Sequence, residues 1–82
     1  MKLILLKNKN CLASTLMYRY LQTKGVEFDI ISVDNVPSLI DVFDLKSVPA
    51  LITTDDYSTF NKLEGYSEAD VDEFLKEVKR SA

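Results

Sequence analysis

The chain has 82 residues, 46% hydrophobic and 28% charged, which describes one small folded domain rather than a disordered segment. Its net charge of −3 removes the basic footprint that nucleic acid requires, and the absence of histidine removes Ser-His, Cys-His and zinc-His constellations. The single cysteine excludes an internal disulfide framework and points to a reducing compartment, the cytoplasm.

No apolar run approaches the ~18 residues of a membrane span. The apolar part of MKLILLKN is too short for a signal-peptide core and lacks a small-residue cleavage site, so no leader is expected.

Taken in chain order, Lys2 to Leu6 (KLILL) is a continuous apolar run, the pattern of a strand buried on both faces. After the polar KNKN, two rows at helical spacing, Leu12-Leu16-Tyr20 and Ala13-Met17-Leu21, predict an amphipathic helix that Gly25 ends. Val26 to Val33 reads as a second strand. Asp34 and Asn35 then offer caps, and Pro37 suits a first helical turn. Val36, Leu39, Ile40 and Phe43 give the apolar face of a short second helix.

Pro49 to Thr53 is a third strand with proline at its first position, where no ladder N–H is needed. The turn DDYS leads to a weaker fourth strand, Tyr57 to Leu63. Ser67 to Asp70 has the form of a capping box, and Val71, Phe74, Leu75 and Val78 make a closing helix.

The order β-α-β-α-β-β-α specifies an α/β protein. A parallel opening pair and an antiparallel closing hairpin give a four-stranded mixed sheet covered by three helices. A ferredoxin-like sandwich would need a strand, not a helix, between residues 36 and 44.

Cys11 falls where the first strand hands over to the first helix. Unpaired N–H groups and the helix dipole favour negative charge there, and the thiolate is the reactive form of a cysteine. Ser14, one turn on, could donate its hydroxyl to the sulfur. Lys7 and Lys9 add nearby positive charge, solvated and worth little each. Asp55 and Asp56 with Glu64 or Glu68 lack any metal-ligand spacing and read as a solvated turn.

Cys11 at this junction, Ser47-Val48-Pro49 opening the third strand and Gly65-Tyr66 before the last helix together resemble the thioredoxin superfamily. More narrowly they are similar to the small glutaredoxin-like proteins, including NrdH-type redoxins that supply electrons to ribonucleotide reductase. FDIISVDNVPSLIDVFDLKSVPALIT and EGYSEADVDEFL carry the same likeness, so it covers essentially the whole chain.

The resemblance implies a thiol-disulfide oxidoreductase with a thioredoxin-like fold, its first and third strands antiparallel neighbours and Pro49 beside Cys11. It implies a cis Val48-Pro49 peptide. It also implies a substrate groove at Leu12, Val48, Pro49, Gly65 and Tyr66, where a peptide pairs with the Val48 backbone like an added strand. The implied partners are a protein disulfide, ribonucleotide reductase among them, and a recycling reductase. The expected state is a monomer able to form a Cys11-linked dimer.

Four departures qualify the activity. Ser14 holds the position of the resolving cysteine, so Cys11 can attack a disulfide but cannot release itself internally. Asn8 replaces the family's basic residue ahead of the cysteine. Gly65-Tyr66-Ser67 replaces the glycine pair and acid that support glutathione binding, so no cofactor is expected. Leu12-Ala13 also departs from the C-G-F-S signature of cluster-carrying members, and no metal is expected.

Three readings remain: an oxidoreductase whose natural C-L-A-C has been changed to C-L-A-S, a natural monothiol enzyme served by an external thiol, and a non-enzymatic binding module. Fold alone does not choose among them.

Overall fold

The computed structural model describes residues 2–9, 11–55 and 59–81, with side chains in the last helix as far as residue 77. The elements are β1 (Lys2–Lys7), α1 (Leu12–Thr23), β2 (Asp29–Ser32), α2 (Ser38–Val42), β3 (Ala50–Thr54), β4 (Phe60–Glu64) and α3 (Glu68–Ser81). The strands lie in the order β2-β1-β3-β4. β1 pairs parallel with β2 and antiparallel with β3, and β3 pairs antiparallel with β4. Among the described residues no helix is long and apolar enough to cross a membrane.

Side chains alternate across a strand, so the central pair β1 and β3 feeds two cores at once. Ile4 and Leu6 join Val33, Phe43, Leu45, Ala50 and Ile52 on the face that α2 closes with Leu39. Leu5 and Leu51 join Met17, Leu21, Val71 and Leu75 on the face covered by α1 and α3. KLILL is apolar without interruption because both of its faces are covered.

Local sequence predicts each element, and the structure moves several boundaries. Strand β2 begins at Asp29, where its pairing with Ile4 begins, rather than at Val26. Val26 and Phe28 approach it as coil and pack against the α1–α3 core. Strand β4 begins at Phe60, which pairs with Thr54; the predicted start, Tyr57, lies outside the described residues.

Helix α1 buries Ser14, Met17 and Leu21, while Leu12 is 73% and Leu16 41% exposed. At about 100° per residue, Leu12 lies ~140° and Leu16 ~100° around the helix from Met17, so neither can share its face. The two predicted rows therefore reduce to one, with a buried serine continuing it toward the N-terminus. Gly25 ends the helix as expected, at φ +68° with its N–H on the carbonyl of Gln22.

Helix α2 is a five-residue segment with no buried residue of its own: Leu39 is half-buried, its C-cap Phe43 is buried, and Val36 and Ile40 face solvent. Pro37 is its N-cap rather than a residue of its first turn, and Asp34 is engaged elsewhere. On α3, Val71 and Leu75 are buried and Phe74 is half-buried, whereas the Val78 side chain lies outside the described residues. Tyr20 ties α1 to α3: its hydroxyl donates to Asp72 at 2.8 Å, and Lys24 bridges to the same carboxylate at 2.9 Å.

Candidate active site

The site grows from the end of β1. Its last residue, Lys7, lies one step beyond the Leu6–Ala50 pair, so the strand ends level with Pro49 at the start of β3. The chain then crosses to Cys11, the N-cap of α1, in extended conformation at φ −102° and ψ 117°. Two contacts shape this crossing. The N–H of Lys9 donates to Asp34 Oδ2 at 2.6 Å, and the N–H of Asn8 donates to Ser14 Oγ at 3.4 Å.

Ser14 is only 1% exposed. A hydroxyl carries one proton and two lone pairs. The Asn8 amide occupies one lone pair and does not use the proton. That hydroxyl is the main reason the Cys11 thiol is held below the ordinary cysteine range; the Ser14 N–H contributes next, partial burial opposes them, and the Ala13 N–H adds the smallest part. The shift is mainly one side chain acting on an anion, reinforced by the first amides of the helix. Lys7 and Lys9 are not among the groups that move it. Cys11 itself is half-buried and free, and Leu12 beside it is open to solvent.

The other predicted residues meet on the neighbouring edge. Pro49 is buried, and the peptide joining it to half-buried Val48 is cis. The carbonyl of Pro49 accepts the N–H of Gly65 at 2.8 Å, which joins the two landmarks directly. Gly65 has φ +81° with open space where a Cβ would stand, so glycine is required there by backbone conformation rather than by crowding. Tyr66 turns inward: its ring meets Tyr20 edge-on at 6.2 Å, and its hydroxyl donates to Glu68 at 3.3 Å. This places Tyr66 in the packing between α1 and α3.

Two polar side chains of β4 shape the approach to Val48, and sequence reading missed both in this role. Lys62 Nζ donates to the carbonyls of Phe43, at 3.3 Å, and Asp44. Glu64 Oε1 accepts the N–H groups of Lys46 and of Ser47, the latter at 3.0 Å. The Lys46 amide first and the Ser47 amide second hold the Glu64 carboxyl below the usual range. Glu64, considered above only as a metal ligand, is thus committed to a loop, and Asp56 of the same grouping lies outside the described residues. The one visible signal was the alternation of Lys62 and Glu64 on one strand face; their partners are not local.

The chain is 28% identical over 80 residues to the SPbeta prophage-derived thioredoxin-like protein YosR of Bacillus subtilis, covering 96% of this chain and 100% of that protein. The glutaredoxin of Archaeoglobus fulgidus superposes with a TM-score of 0.71 at 18% identity, covering 90% of this chain and 85% of that one. The glutaredoxin-like NrdH-redoxin of Escherichia coli gives 0.73 at 18% identity, covering 89% and 93%. No protein-family model matches.

The chain has a thioredoxin-like fold, the one these glutaredoxin and redoxin structures share. In this fold Cys11, Ser14, Val48, Pro49 and Gly65 fall around the ends of β1 and β3, and Tyr66 falls behind them.

Proposed function

We propose that this protein is a thiol-disulfide oxidoreductase acting through Cys11 alone. The observation that carries the reading is the position of Cys11 at the N-terminus of α1 with buried Ser14 one turn on, surroundings that hold the thiol below its ordinary range and favour the thiolate. Cys11 as thiolate attacks one sulfur of a substrate disulfide. A Cys11–substrate disulfide forms, the substrate's own S–S bond breaks, and the leaving sulfur departs as thiolate and takes a proton from solvent. A second, external thiolate then attacks the substrate's sulfur in the mixed disulfide. That step returns Cys11 as thiolate and leaves the substrate joined to the incoming thiol.

Ser14 supports this monothiol cycle because it is integrated into the site: it is buried, its hydroxyl accepts the Asn8 amide, and it is the main influence holding the Cys11 thiol below its ordinary range. The likeness to NrdH-type redoxins extends the proposal to protein disulfides, ribonucleotide reductase among them, with a cytoplasmic setting and a recycling reductase or glutathione as the external thiol.

The test measures the Cys11 pKa and compares disulfide-reductase activity of this chain and its Ser14→Cys form. A Cys11 pKa equal to that of a free thiol removes the enzyme reading and leaves a binding module. Activity that depends on external thiol and is unchanged in Ser14→Cys supports the monothiol cycle. A large gain in Ser14→Cys assigns the natural mechanism to a dithiol, with serine as the replacement.

A further inference from the structure

The segment between α2 and β3 is an irregular loop that leads into Val48. It reverses at Asp44, at φ +50°, a residue type that tolerates the left-handed region. Its backbone polar groups are not paired into a strand. Instead β4 supplies them with an acid and a base: Lys62 takes the carbonyls of residues 43 and 44, and Glu64 takes the amides of residues 46 and 47. The two side chains lie 3.7 Å apart as an ion pair and are both partly buried. The register explains why they share a face, since Lys62 pairs with Ile52 and Glu64 with Ala50.

From this arrangement we infer that Glu64 is a positioning residue of the disulfide-exchange site: by holding the Lys46 and Ser47 amides it sets the backbone at Val48 against which a substrate peptide pairs. The inference rests on the thiol-disulfide reading and deepens it. An added strand is recognised through main-chain groups at fixed spacing, so a loop free to shift loses the pairing while the thiol keeps its chemistry. Misplacement by about 1 Å is enough to cost one to two orders of magnitude in rate. Glu64 sits on the strand, one residue before Gly65, whose N–H is bonded to Pro49. A single strand end therefore anchors the loop on both sides of Val48.

The experiment compares the parent chain with Glu64→Gln and Glu64→Ala. Three rates are read: mixed-disulfide formation with a disulfide-linked peptide, the same with a small aliphatic disulfide, and alkylation by iodoacetamide. The peptide reaction should slow about tenfold or more in Glu64→Ala. It should slow less in Glu64→Gln, which keeps an acceptor oxygen but not the charge. The small disulfide and iodoacetamide rates should stay within about twofold in both variants, because neither reagent pairs with backbone.

A folded Glu64→Ala or Glu64→Gln that reacts with the peptide at the parent rate overturns the positioning role and leaves the oxidoreductase reading standing. Equal slowing of all three rates also overturns it, since that marks general damage. A parent chain that reacts with the peptide no faster than free cysteine does overturns the oxidoreductase reading itself.

Discussion

Replacing Ser14 by alanine separates the contributions at Cys11. The hydroxyl is the largest influence on the thiol and vanishes in Ser14→Ala, whereas the amides of Ser14 and Ala13 survive the change. The Ser14 amide outweighs the opposing effect of burial, so the remaining balance still favours the thiolate. The Cys11 pKa should therefore rise, yet stop short of a free cysteine. Stability changes less. The Asn8 N–H loses its 3.4 Å acceptor, a long bond that belongs at the weak end of the usual range. A loss of about 0.5 kcal/mol follows, or roughly 2–4 °C in Tm for a chain of this size. The thiolate's ultraviolet absorbance across pH gives the first quantity and thermal unfolding the second. A pKa that does not move would refute the assignment of the hydroxyl to the sulfur. A value reaching that of free cysteine would refute the contribution of the helix amides.

Three further predictions concern the scaffold. Phe43 is 1% exposed and meets Phe60 edge-on at 4.9 Å, so Phe43→Ala should cost about 3–5 kcal/mol and show as a large drop in denaturant midpoint. Gly25→Ala meets no neighbouring atom, so its cost is conformational alone, about 1–2 kcal/mol by thermal unfolding, and a neutral result would refute the left-handed C′ position. Lys24 first and Tyr20 second hold the Asp72 carboxyl below its ordinary range. A lowered folded-state pKa means stability that is complete above the unfolded value, near 4, and lost as pH falls through the folded one. Tyr20→Phe removes one of these partners, so its Tm should fall less steeply with acid than the parent's; identical slopes would exclude the Tyr20–Asp72 bond.

Much of this molecule was legible in its chain because the relevant signals are local. KLILL marks a strand covered twice, and Gly25 marks a helix end by its backbone freedom. The strand-to-helix junction at Cys11 follows from the change of period between residues 6 and 12. What stayed hidden is of two kinds. The apolar rows of α1 fit more than one face, and contact with β1, β3 and α3 chose the one that buries Ser14. Asp34 looked like a helix cap and instead binds the Lys9 amide ahead of Cys11.

The chain by itself determined the order of elements, the central place of β1 and the position of the one thiol at a helix start, since each depends on residues within a few places of one another. Tertiary structure alone decided which polar groups serve the site. Glu64 reaches the Lys46 amide across 18 residues, and Asp34 reaches Lys9 across 25. Such pairings are set by which strand ends and loops the sheet brings to one edge, and no periodicity within a segment carries that information. Ser14 lies between these cases: its spacing from Cys11 was plain in the sequence, but its burial and its bond to the Asn8 amide came only from the fold.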